Sequence, residues 1–255
     1  MHAHNGRLGS LAGKVALVTG GSRGIGAATA RALAAEGAAV AISHSASAER
    51  AEAVVAGLRA TGVRAAAYRA DQAEPRQVAD LVGKVAADFG RLDILVNNAG
   101  VFVYGATDDA DSDAAALERQ FAVNVGGVAA GIRAAAGVLG DGGRIITVGS
   151  NLADRPGQPG VADYAATKAA VVGYSKGAAR DLAPRGITVN VVQSGSVATE
   201  MNPEDGPHAD RQRAANAMGR YGRPEEIAAG IVFLAGPGAS FVTGAVLDID
   251  GGYAA

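Results

Sequence analysis

No cysteine occurs in this chain, which excludes disulfides and thiolate metal sites. Histidine is almost as scarce. His2 and His4 lie in a polar start, and His44 and His208 are far apart in sequence, so a zinc site has no ligand set and no metal is expected. An excess of either charge is missing as well. With 23 Lys and Arg against 25 Asp and Glu, the formal net charge of -2 gives no electrostatic case for nucleic acid or an anionic membrane surface. Long apolar runs are also lacking: the first dozen residues, MHAHNGRLGSLA, have no signal-peptide core, and no later stretch reads as a membrane span. A cytoplasmic protein is expected.

What is present is a chain of 255 residues, 49% hydrophobic, uninterrupted by any polar linker or low-complexity block. That is enough to bury the core of one large α/β domain, expected over 13–255 behind a flexible tail at 1–12. Short apolar runs alternate with longer helical patterns. KVALVT (14–19) reads as a buried strand and 24–36 as a helix stopped by Gly37. AAVAIS, VRAAAYR and LDILVN repeat the strand theme between helices at about 47–60 and 75–89. A long helix from about Asp113 carries Asn124, followed by the strand RIITVG (144–149), a helix over 161–183, the strand ITVNVV (187–192), a helix from Pro224 and a last strand near 246–249. This rhythm predicts a doubly wound parallel sheet with helices on both faces, and such sheets bind ligands outside the carboxyl ends of their strands.

The unusual residues collect at those ends. The turn TGGSRGIG places Gly20, Gly24 and Gly26 where a strand meets a helix. Glycine lets a backbone approach a pyrophosphate, and the free amides of the helix start face its charge; a tight turn without a ligand is the bland alternative. The run NNAG (97–100) ends another strand, where asparagine side chains can tie neighbouring loops together, or simply form a turn. Tyr164 and Lys168 lie four residues apart on one helix face, so the ammonium can sit below the phenol and favour its ionised form. Alone the pair is weak, since a lysine packed along a half-buried ring has the same spacing.

Together TGGSRGIG, NNAG, Asn124, Ser150, YAATK and RGITVNVV make the chain similar to the short-chain dehydrogenase/reductase family, from about Leu11 to the end. The likeness is to 3-oxoacyl-carrier-protein reductases and related carbonyl reductases. It implies a seven-stranded Rossmann sheet, a homotetramer, and a catalytic tetrad of Asn124, Ser150, Tyr164 and Lys168. Tyr164 would supply a proton to a ketone oxygen and Ser150 a second hydrogen bond; Lys168 would lower the phenol's pKa and hold the nicotinamide ribose. Asn124 would anchor a water in a proton relay, although a structural asparagine in a kinked helix, beside Gly126 and Gly127, reads equally well. Cofactor contacts are implied from Gly20, Ser22, Arg23, Gly24, Ile25 and Gly26, from Ser43, His44 and Ser45, and from Asp71 and Gln72. Asn98, Ala99, Gly100, Tyr164, Lys168, Gly195, Val197 and Thr199 complete that set. Asp71 is explained nearly as well as a helix N-cap.

Two departures stand out. Ser150 and Tyr164 are one residue further apart than in some relatives, across the turn-rich RPGQPG. Where most relatives have Pro-Gly after the sixth strand, this chain has Ser194-Gly195, which either loosens the nicotinamide pocket or substitutes a local hydrogen bond. Cofactor choice follows from the residues. An NAD site usually carries Asp or Glu at the end of the second strand; Ser43, His44 and Ser45 stand there instead, with Arg23 nearby and Arg50 as its possible substitute. NADP(H) is expected. The expected activity is NADPH-dependent reduction of a ketone, a 3-oxoacyl thioester or small carbonyl compound, reversibly to a secondary alcohol. The alternative is a nucleotide-binding regulator on the same fold, because 154–206 resembles relatives described as cyclic-dinucleotide binders. The segment 200–221, rich in Pro, Gly, Asn and charge, is expected to be a mobile lid over the substrate.

Overall fold

A computed structural model describes residues 9–255. Seven parallel strands form one sheet: β1 (Val15–Val18), β2 (Ala39–His44), β3 (Ala65–Arg69), β4 (Ile94–Asn97), β5 (Arg144–Ser150), β6 (Thr188–Ser194) and β7 (Val246–Ile249). Their order is β3-β2-β1-β4-β5-β6-β7, so the chain reverses direction across the sheet between β1 and β4. Both faces are covered, and the central strands are therefore apolar without alternation: every residue of β1 and β4 is buried. Alternation survives in which core each residue enters. Ala16, Val18, Val40, Ile42, Ile94 and Val96 point into one hydrophobic layer, and Val15, Leu17, Ala41 and Leu95 into the other.

The first layer is closed by α1 (Gly24–Ala35), α2 (Ala48–Ala60) and α8 (Pro224–Ala235). The second is closed by α3 (Pro75–Phe89), α5 (Val128–Val138) and α6 (Ala162–Leu182). Small residues dominate α1, GIGAATARALAA, so it lies close to the sheet and to α8. The remaining helices are α4 (Ala114–Phe121) and α7 (Ala209–Ala215). Strand and helix bounds otherwise fall within a few residues of the sequence reading.

Three differences have physical causes. The single helix expected from about Asp113 is α4, a π-turn over Ala122–Gly127, and α5 in succession; the turn falls on AVNVGG, whose asparagine and glycines are poor helix formers. Asp113 caps α4 by accepting from Ala116 N at 3.0 Å. Ala114–Val138 is also long and apolar enough to cross a membrane by length and composition, a match the sequence reading passed over; here this stretch packs against α3, β4 and α6. Finally, the expected mobile segment contains α7. Of the expected tail, residues 1–8 lie outside the described residues, while Leu11 is buried and Ser10 donates twice to the Glu36 carboxylate, at 2.9 Å and 2.8 Å.

Candidate active site

A cavity of about 620 Å³ opens at the carboxyl ends of the strands, across the reversal between β1 and β4. At one end lies the glycine turn. Gly20 (φ +64°) and Gly24 (φ +51°) adopt left-handed backbone that other residues resist, and a side chain at Gly26 would overlap the Asn98 amide and the Gly20 carbonyl. The turn is bolted to the end of β4: Thr19 Oγ1 accepts from the amides of Asn98 and Ala99, both at 3.0 Å, and Asn98 Nδ2 donates to the carbonyls of Thr19 (2.8 Å) and Gly20 (3.1 Å). Asn98 thus ties two loops, as its position suggested. Ser43 Oγ braces the turn from β2 by accepting from Gly20 N at 3.3 Å. The start of α1 has neither a side-chain cap nor an acidic residue in its first turn, so its amides are left to whatever enters the cavity.

At the other end stand Ser150, at the tip of β5, and Tyr164 and Lys168, one turn apart on α6. Lys168 is buried, donates to the Val148 carbonyl at 2.9 Å, and holds its Nζ 5.6 Å from the centre of the Tyr164 ring. Phe102 meets that ring edge-on at 4.8 Å. Burial pushes the Tyr164 phenol up to about 12, with the Ser150 hydroxyl pulling against it, and burial draws Lys168 down to about 8. Desolvation thus displaces both groups toward their neutral forms, against the lowering of the phenol that the spacing leads one to expect. Ser150 Oγ accepts from Leu152 N at 3.2 Å, which fixes the strand exit.

Asn124 lies just behind the cavity, on the π-turn. Its Oδ1 accepts from Val101 N at 2.9 Å, and its Nδ2 donates to Val101 O at 2.9 Å and to Thr167 Oγ1 at 3.2 Å. Thr167 Oγ1 donates in turn to the Tyr164 carbonyl at 2.7 Å. Thr167 was missed by the sequence reading, although it is the threonine of YAATK and wholly buried. The other predicted residues, from the glycine turn through Ser45, Gln72 and Gly100 to Gly195, Val197 and Thr199, all border the one cavity.

Asp71 is not the N-cap of α3, whose cap is Glu74; it accepts from Ala73 N at 3.0 Å and pairs with Arg119 at 2.9 Å, and those hydrogen bonds hold its carboxyl below the ordinary range. Ser194 donates to the Gly149 carbonyl at 3.3 Å and keeps β6 in register with Ser150 on one side and Ile249 on the other. Of the two readings of the missing proline, the local hydrogen bond is the one present. Gln193, also unforeseen, is fully buried and donates to Asp154 Oδ2 at 2.9 Å, anchoring the loop beyond Ser150.

Known proteins agree with this architecture. A family model described as Enoyl-(Acyl carrier protein) reductase matches residues 20–254. The chain is 42% identical over 248 residues to the cyclic-di-GMP-binding biofilm dispersal mediator protein of Escherichia coli, covering 97% of this chain and 100% of the relative. It is 41% identical over 249 residues to a 3-oxoacyl-[acyl-carrier-protein] reductase of Synechocystis, covering 95% and 98%. A short chain dehydrogenase from Burkholderia cenocepacia, solved in complex with NADP, superposes with a TM-score of 0.94 at 53% identity, over 96% of this chain and 100% of that one. With the sheet order, the glycine turn and relatives matched end to end, the chain belongs to the short-chain dehydrogenase/reductase family.

Proposed function

We propose that the protein is an NADP(H)-dependent reductase of ketones, 3-oxoacyl thioesters or small carbonyl compounds, giving secondary alcohols reversibly. The observation that carries this is the convergence of Ser150, Tyr164 and Lys168 at one end of the cavity whose other end is the glycine turn. The residues fit the cofactor: an uncapped helix start and a glycine cradle suit a pyrophosphate, and at the end of β2 the buried Nδ1 of His44 has no partner. Ser43, His44 and Ser45 supply no carboxylate to repel a 2′-phosphate; Arg23 borders the cavity with them, and Arg50 shares the Glu200 carboxylate with Arg23. Bound NADP(H) supplies the hydride that reaches the carbonyl carbon.

The chain's own residues handle the proton. A carbonyl oxygen that gains charge needs a donor and a second hydrogen bond. Tyr164 keeps its proton at neutral pH, as any phenol does and the more firmly because burial raises it, and it is the donor; Ser150 offers the second bond. Lys168, still charged at pH 7 with its value near 8, stabilises the phenolate left behind. The side chain of Asn124 is committed to Val101 and Thr167, which supports the structural reading of that residue in the kinked helix. Thr167 positions Tyr164 by holding its carbonyl.

The test is NADPH oxidation with a panel of 3-oxoacyl thioesters and simple ketones, a 2-enoyl thioester separating C=O from C=C reduction. A parallel titration with cyclic di-GMP addresses the regulator reading, which draws support from the name of the Escherichia coli relative. Dinucleotide binding with no turnover of any carbonyl would replace the reductase reading. A cytoplasmic homotetramer completes the proposal: Phe233 is half-exposed and Phe241 fully exposed beside the edge strand β7, an apolar margin suited to a second subunit. Light scattering should give about four times 25.2 kDa.

A further inference from the structure

The carboxylate of Glu200, which borders the cavity, is bonded to two arginines, Arg23 on the cavity wall and Arg50 beside it. Glu200 Oε2 accepts from Arg50 Nη1 at 2.5 Å and from Arg23 Nη1 at 3.2 Å, so one oxygen serves two guanidiniums and a positive charge is left over. Those hydrogen bonds hold the Glu200 carboxyl below its usual range. Asp71 is the other acid bordering the cavity, and it is matched by Arg119. Ser43, His44, Ser45 and Ser47 line the same end. Two guanidiniums that share one carboxylate, at a cavity end lined by hydroxyls and an imidazole, have the chemistry to hold a dianion, and here they hold a monoanion from the chain itself.

The position of that monoanion is set by a tight turn. Thr199 and Asn202 exchange backbone hydrogen bonds at 3.3 Å and 3.1 Å, which puts Glu200 at the tip. The turn is joined to α7 through a reciprocal amide pair, Asn202 with Gln212, at 2.8 Å and 3.0 Å. Arg211, one residue earlier on α7, bonds Gln158 in the loop that follows Ser150. A physical path therefore leads from the two arginines, by way of Glu200, to the cover of the substrate end.

We propose that Glu200 is a built-in occupant of the 2′-phosphate site, exchanged for that phosphate when NADP(H) binds, so that the 2′-phosphate alone unlatches the turn carrying α7. The inference rests on the NADP(H) reading above. A dianion and a carboxylate cannot share the same two cations without repulsion, whereas NADH brings no group that competes for them. Glu200 is thus a determinant of cofactor affinity, and it opposes the cofactor it helps to select.

Glu200→Gln removes the charge and keeps the shape. NADPH should bind the variant about threefold to tenfold more tightly than the wild type, the effect of losing two exposed ion pairs at once, with NADH changing by less than about twofold. Fluorescence titration of both cofactors at one fixed ionic strength reads this directly. Hydrogen exchange supplies a second readout, with adenosine 2′-monophosphate and adenosine 5′-monophosphate as probes. In the wild type the 2′ isomer should raise amide exchange over 199–215 and the 5′ isomer should not, and in the variant exchange should be high from the start. NADPH affinity that is unchanged or weaker in the variant overturns the inference, as does equal tightening of NADH. If the wild type itself shows no preference for NADPH, the cofactor reading fails; if it does and Glu200→Gln has no effect, only this inference falls.

Discussion

The two ends of the cavity solve opposite problems with charge. At the end that holds Tyr164, Lys168 is buried, its Nζ bonded to one carbonyl and its value pulled down to about 8, and no carboxylate among the described residues pairs with it. At the end with the glycine turn, Arg23 and Arg50 both pair with Glu200, and all three side chains are about half exposed. A charge without a counter-ion in apolar surroundings costs stability but keeps its position and field; a solvated pair costs little, contributes little, and can be exchanged. On the proposed function, the end where atoms would react is fixed, and the end where the cofactor would be recognised is replaceable.

The contrast breaks most sharply at Tyr164. Tyr164→Phe keeps the ring against Phe102 and removes the proton, so turnover should fall by roughly 10²–10⁴ while NADPH affinity barely moves. Steady-state kinetics beside a cofactor titration measure both, and near wild-type turnover would remove Tyr164 from its role.

Next in size is Lys168→Met. Relieving a buried charge whose value is displaced from 10.5 to about 8 gains on the order of 3 kcal/mol at pH 7, less about 1 kcal/mol for the lost bond to Val148. The variant should be inactive yet more stable in urea. The sign follows from proton counts: between about 8 and 10.5 the unfolded chain holds the lysine proton that the folded chain has released, so this group makes wild-type stability rise with pH across that window. Tyr164 acts oppositely between 10 and about 12, where the folded chain keeps its proton and stability falls as pH rises. Urea melts from pH 7 to 9.5 should show the lysine-driven rise in the wild type and a flatter curve in the variant.

At the exposed end the effects are smaller and reversible. Wild-type protein should favour NADPH over NADH by roughly tenfold to a hundredfold, Arg23→Ala should erode that preference, and His44→Asp should invert it by repelling the phosphate while offering the NADH ribose an acceptor. Titration of both cofactors into the three proteins decides. Smallest is the response to salt. Raising ionic strength tenfold should weaken NADPH by a few-fold more than NADH, because screening acts on solvated cations, and should leave the relative defect of Tyr164→Phe unchanged. A large salt effect on that defect would erase the distinction between the two ends.

Most of this was legible from residues near one another in sequence. The glycine turn, the buried strands and the Tyr164–Lys168 spacing are local, and local steric rules read them. The kink at Asn124 was legible for the same reason, since poor helix formers cluster there. What escaped depended on partners far along the chain. Glu200 meets Arg50 150 residues away and Arg23 177 residues away, and nothing in the composition of the segment 200–221 announces either meeting. Thr167 was passed over because its partners are a main-chain carbonyl and an asparagine 43 residues away, neither of which leaves a mark beside it in sequence. The upward displacement of the Tyr164 phenol was not legible, because spacing reports proximity but not desolvation.

The strand order also sets a timetable for synthesis. β1, β2 and β3 complete one half of the sheet by residue 69, using pairings between neighbours in sequence, before the chain returns to the centre to lay down β4. A nascent chain leaving the ribosome therefore holds the glycine turn and the first three strands long before β6 and the segment carrying Glu200 exist. Until residue 194 has emerged, β5 lacks its outer neighbour and Ser150 ends an unpaired strand edge. The half of the sheet built from β1 to β3 can pair early, and its glycine turn gains its second brace only when Asn98 follows β4.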